Sequence, residues 1–180
     1  MQIGVVPDHL QAVPNRASDP ISQDPQPKNK KEDLGPLINS ILQALSCVQQ
    51  LQVQSHLIHF NYEAPNFLSV HKQLKTQYKQ HLEQFDHLGE LIRSLDYMTT
   101  MCQKGLTGCY KKFKHCETYN PNEMLLTYIS NLEDCGMMAK KMGDTAKKYK
   151  APDVEHYAAE LVGEMFKAAW LFKATLRRCS

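Results

Sequence analysis

Apolar positions recur along most of this chain with the period of an α-helix. Leu34, Leu37, Ile38, Ile41, Leu42, Leu45 and Val48 lie three and four residues apart, which sets them on one helical face. His59 follows Val48 by 11 residues, about three turns, and so extends the same inward stripe. This first helix ends near Tyr62, because Ala64-Pro65-Asn66 breaks it: proline disfavours helical backbone at the residue before it. Asn66 is placed to cap a second helix, whose inward face reads Phe67, His71, Leu74, Tyr78, Leu82, Phe85, Leu88, Ile92 and Leu95. Its length of about 28 residues is that of a bundle helix.

Residues 96–119 read as a connection, loosened by Gly105 and Gly108, with a short helix expected over Y-M-T-T-M-C. It is long enough to cross from one end of a bundle to the other. Asn120-Pro121-Asn122-Glu123 then gives a strong helix start, with a cap residue, proline at the first helical position and glutamate at the third. Leu125, Tyr128, Ile129, Leu132, Met138, Met142 and Tyr149 hold the period, and Lys147, Lys148 and Lys150 suit a helix C-terminus. Pro152 and Asp153 open the last helix, with Val154, Tyr157, Ala158, Leu161, Met165, Phe166, Ala169 and Phe172 as its stripe and Arg177 and Arg178 at its close. No segment alternates like a strand. The expected fold is all-α: a four-helix bundle over residues 34–180, with a short helix in the long connection between helices two and three.

Residues 1–33 read differently. Pro7, Pro14, Pro20, Pro25 and Pro27 interrupt them and no apolar period is sustained, so they are expected to be a flexible tail. Lys28, Lys30 and Lys31 could meet a nucleic-acid backbone, but Asp8, Asp19, Asp24, Glu32 and Asp33 offset them, which favours a solvated extension.

Composition changes this picture little. The 42% hydrophobic and 22% charged content fits a globular chain with a real core, and a formal net charge of +2 demands no acidic partner. The six cysteines form no C-x-x-C pair, which argues against a zinc knuckle or a thioredoxin-like site. Cys102, Cys109 and Cys116 recur every seven residues and read as ordinary small residues. No secretory signal and no membrane span is visible, so a cytoplasmic location with reduced thiols is expected.

The chemistry concentrates between Ser55 and Leu95, which hold five of the eight histidines and the acids Asp86 and Glu90. His59, His71, Asp86 and Glu90 are the candidate metal ligands, since imidazole with carboxylate suits iron, manganese or zinc. Asp86 and Glu90 are four residues apart, on one helical face. His71 and Asp86 are 15 residues apart on one helix, about 22 Å at 1.5 Å per residue, and cannot share an ion. Either the two half-sites never complete, or a second antiparallel copy supplies its acids to the first copy's histidines. Histidines near helix ends and an acid pair on a helix also occur without any metal. An ordinary in-bundle di-iron site is rejected, because the first helix has no glutamate and Glu-x-x-His occurs on no helix.

The order H-x-x-H-F-N-Y-E-A-P-N-F-L-S-V-H, then Tyr78, then D-H-L-G-E, with A-A-W-L-F-K-A-T-L late in the chain, resembles the Dps family of miniferritins over roughly residues 36–178. The resemblance implies a dodecameric shell that oxidises Fe(II), preferably with hydrogen peroxide, at ferroxidase sites between two-fold related subunits. It would store ferric iron inside and so protect DNA. His59 and His71 would come from one subunit, and Asp86 and Glu90 from its neighbour. Non-specific DNA binding and association with the nucleoid are implied as well. Two positions depart from the family. Lys75 stands where the family usually has a ligating acid, and Phe60 where it usually has tryptophan. Tyr62 or Tyr78 could replace that tryptophan, and Asp153, Glu155 and Glu160 could line an iron-entry pore. The alternative is a shell-forming, non-specific DNA-binding protein whose iron site Lys75 has weakened or inactivated.

Overall fold

The computed structural model describes residues 33–177; the expected tail, apart from Asp33, and Arg178 lie outside the described residues. Five helices follow one another: α1 Gly35–Asn61, α2 Phe67–Ser94, α3 Gln103–Gly108, α4 Pro121–Lys148 and α5 Pro152–Leu176. Each long helix begins and ends where its sequence signals fall. Pro36, Pro121 and Pro152 stand in the first turns of α1, α4 and α5, where their missing N–H costs nothing. Asn120 caps α4: its Oδ1 accepts from the backbone N–H groups of Asn122 and Glu123 at 3.0 and 3.2 Å. Asn66 precedes α2 but makes no side-chain cap; its Oδ1 instead accepts from the Tyr62 hydroxyl at 2.8 Å, bracing the α1–α2 turn.

Two antiparallel hairpins, α1–α2 and α4–α5, pack face to face, chiefly through α1 on α4. The connection between α2 and α4 runs over α1. It is held by hydrogen bonds of Gln50 to the Tyr110 carbonyl (3.1 Å) and of Gln54 to the Lys114 carbonyl (2.9 Å). Fully buried Asn131 of α4 completes this clasp: it accepts from Lys114 N–H and donates to the Lys114 carbonyl and the Gln54 side chain. Each of its polar functions is met, as burial requires.

The short helix is not at Y-M-T-T-M-C but one step later, at Gln103–Gly108. Cys102 caps it, with Sγ accepting from Gly105 N–H at 3.3 Å, and both glycines lie inside the helix without positive φ. Cys109 Sγ donates back to the Gly105 carbonyl, and Cys116 sits beneath Gln54. The seven-residue cysteine spacing thus serves local packing, and the five described cysteines are unpaired.

The predicted stripes of α1, α4 and α5 are buried, with Leu34, Met138 and Tyr149 half-buried; only Phe166 is exposed, at 37%, lying over Gly136. The stripe of α2 needs correction. Its bundle-facing residues are Val70, Leu74, Gln77, His81, Gln84, Leu88, Leu91 and Ile92. Phe67, His71, Tyr78, Leu82 and Phe85 sit one residue further round the helix, half-buried or exposed, with Leu82 at 59%. Hydropathy favoured the apolar row, whereas three polar residues face the core and find partners there.

Candidate metal centre

His59 lies in the last turn of α1 and His71 in the second turn of α2, on either side of the braced connection. Their backbones hold each other's rings. His59 Nδ1 donates to the His71 carbonyl at 2.9 Å, and His71 Nδ1 donates to the His59 carbonyl at 3.0 Å. A carbonyl only accepts, so each ring carries a proton on Nδ1; in the neutral imidazole this leaves the Nε2 lone pair free, the tautomer a metal ligand needs. The rings stack at 3.7 Å between centroids, tilted by 20°.

His59 is only 7% exposed. Burial lowers its pKa, with the neighbouring His71, His56 and Lys75 adding to the fall and the bond to the His71 carbonyl opposing it. His59 is therefore held neutral, ready to donate an electron pair. His56 stacks on Tyr78 at 4.0 Å, and Tyr78 turns its edge to His59 at 5.4 Å. Phe60 is 66% exposed beside them, and Lys75 stands one turn beyond His71 at the surface.

Asp86 and Glu90 are exposed near the other end of α2, on either side of Gly89. They line a shallow depression of about 210 Å³ with Phe85, Arg93, Thr99 and Thr100. The structure thus brings the two histidines together and the two acids together, and leaves the pairs about 22 Å apart along one helix. Among the described residues no three His, Cys, Asp or Glu side chains gather to hold an ion. Asp153 and Glu155 lie in the first turn of α5, and exposed Glu160 pairs with His156 at 3.3 Å.

A second cluster escaped the sequence reading. Tyr128 of α4 donates its hydroxyl to His81 Nε2 at 2.8 Å, and His81 Nδ1–H donates to Gln84 Oε1 at 2.7 Å. Gln84 Nε2 in turn donates to Glu164 Oε2 of α5 at 2.7 Å. Burial pushes the His81 pKa down to about 4, against the hydrogen bond to Gln84, and raises those of Tyr128 and Tyr157. Both nitrogens of His81 are engaged, so this network inside the bundle offers no ligand there. Only the H-x-x-Q spacing of His81 and Gln84 hinted at it, and that pattern is common on helices.

The sequence profile of the ferritin family, described as a ferritin-like domain, matches residues 38–180. The chain belongs to the ferritin-like family. Its fold is that of solved Dps structures. The Dps of Thermosynechococcus elongatus superposes with a TM-score of 0.77 at 14% identity, over 81% of this chain and 92% of that one. The DPS protein of Vibrio cholerae, described as a member of a superfamily of ferritin-like diiron-carboxylate proteins, gives 0.73 at 16% identity over 79% and 89%. The CAIP protein of Helicobacter cinaedi gives 0.72 at 21% identity over 78% and 99%. No curated protein sequence matches the chain. In this ferritin-like chain no described helix is long and apolar enough to cross a membrane.

Proposed function

We propose that this ferritin-like protein oxidises Fe(II), with hydrogen peroxide as the preferred oxidant, and stores the ferric product inside a dodecameric shell in the cytoplasm. The observation that carries this reading is the reciprocal His59–His71 pair, which engages both Nδ1 atoms and leaves two Nε2 atoms with no acid to complete a site among the described residues. Asp86 and Glu90 of a second, antiparallel copy supply the missing acids, and the two-fold relation makes two equivalent sites per pair. The two helices that carry the histidines also leave Val53, Leu57, Phe60, Leu68 and Leu82 42–70% exposed. Phe60, beside His59, and Leu68, one turn before His71, are the exposed apolar side chains such a copy would cover.

Fe(II) is the substrate. Two imidazole nitrogens accept it as ligands, and two carboxylates favour Fe(III) over Fe(II) by charge, which eases the loss of an electron. Peroxide takes two electrons and two protons to give two waters, so two Fe(II) are consumed for each peroxide. Consuming Fe(II) and peroxide together removes both reactants of hydroxyl-radical chemistry, and so protects nearby DNA. The test is native mass together with iron content after Fe(II) and peroxide loading. Wild-type protein should give a soluble, iron-filled shell, and His59→Ala and Asp86→Ala should each lose oxidation. Wild-type rates in both variants would remove the assigned site.

Lys75 favours a second reading, a DNA-coating shell with a weakened iron site. Salt-sensitive DNA retardation without peroxide-dependent iron oxidation would select it.

A further inference from the structure

The histidine half of the site has a lysine beside it. Lys75 follows His71 by four residues, so it leaves α2 on the face that also carries His71 and Tyr78. Tyr78 reaches the rings of His56 and His59, which places this face against the histidine pair. The ammonium pairs with no acid: the ion pairs among the described residues are Lys114–Asp134, His156–Glu160 and Lys173–Glu133. Nor is there an acid nearby on either helix. Between residues 34 and 82 the only one is Glu63, exposed in the connecting turn.

We infer that Lys75 takes the place of a second cation, so that each histidine pair binds one divalent ion and not two. This rests on the reading above, in which Asp86 and Glu90 of a second copy complete the site. Charge opposes a second ion. Two neutral imidazoles, two carboxylates and one ammonium leave the empty site at a formal −1. One divalent ion brings it to +1, whereas a second would bring it to +3 with no added ligand. Donors decide the same way: two Nε2 and two carboxylates fill most of one coordination shell of four to six. Shared between ions about 3.5–4 Å apart they would leave each under-ligated. Position 75 is therefore a determinant of stoichiometry: lysine there withholds the carboxylate a second ion would need and adds a repelling charge.

Co(II) is the suitable probe, because it takes the same ligands without being oxidised under these conditions and reports its geometry in its visible spectrum. The assembled protein is titrated with Co(II) by calorimetry and absorbance, and binding that survives in His59→Ala is subtracted as background. The wild-type protein should saturate at one Co(II) per chain. Lys75→Glu should saturate at two, and Lys75→Met at one, with affinity raised on the order of tenfold by loss of the repulsion. Two Co(II) per chain in the wild type, or one in Lys75→Glu, would overturn the inference. Binding in His59→Ala equal to that of the wild type would instead overturn the shared site itself.

Discussion

Replacing His81 by glutamine tests whether the polar network inside the bundle is held neutral by burial. The pKa of His81 is about 4 in the folded chain, against 6.5 for a free imidazole. Above pH 6.5 the ring is neutral in both states and its contribution to stability is complete. As pH falls below 6.5 the unfolded chain takes up a proton that the folded chain refuses until about pH 4, so stability is lost across that window. The difference in pKa corresponds to about 3 kcal/mol at 1.36 kcal/mol per unit. His81→Gln removes this term and leaves the Tyr128 hydroxyl and the Gln84 carbonyl poorly met, a loss of about 1–3 kcal/mol at neutral pH. The wild-type advantage should therefore be present at pH 7.5 and shrink by most of about 3 kcal/mol by pH 4.5. Urea unfolding followed by the fluorescence of Trp170 measures both proteins, at equal concentration and under conditions where their native masses agree, so that linkage to assembly is common to both. An advantage that stays constant between pH 7.5 and 4.5 would refute the assignment of a buried neutral imidazole.

Other substitutions probe other parts of the molecule. Asn131→Leu removes the clasp on the crossover and strands the backbone groups of Lys114; it should lower stability by about 2–4 kcal/mol, with hydrogen exchange rising first over residues 109–119. A Cβ on Gly136 would stand 2.9 Å from the Phe166 ring, whereas nothing lies within 4 Å of one on Gly163. Gly136→Ala should therefore lose about 1 kcal/mol net of its helix-propensity gain, while Gly163→Ala gains about 1 kcal/mol, so their melting temperatures should move in opposite directions. Phe60→Asp puts a charge on the exposed apolar face; sedimentation should show smaller species with unchanged helical circular dichroism, and a full-size shell would argue against pairing through that face.

The helices were legible because their signals are local. Asn120-Pro121, Pro152 and the proline after Ala64 act on the backbone within a turn, and each stands at a helix start or at the break between helices. The start of the short helix was misread because it depends on a thiol cap at Cys102, a weak and uncommon signal. The inward face of α2 was misread for a different reason. A helix with two occupied faces carries two overlapping patterns, and hydropathy selects the more apolar row. The bundle here uses Gln77, His81 and Gln84, whose suitability for burial depends on partners such as Tyr128 and Glu164 far away in sequence. Of the candidate site, the division into two halves could be read from the spacing along one helix. The locking of each histidine by the other's carbonyl could not, since it depends on the angle at which α1 meets α2.

The length of α2 between His71 and Asp86 has a consequence for thermodynamics. If two copies pair antiparallel, the two completed sites are spaced by the same rigid rod, about 22 Å. At physiological salt, charges interact appreciably only within about 8 Å. An ion in one site is then electrostatically invisible to the other. Filling should follow a simple hyperbola, with a Hill coefficient of about one, and a half-loaded pair should be an ordinary, well-populated species.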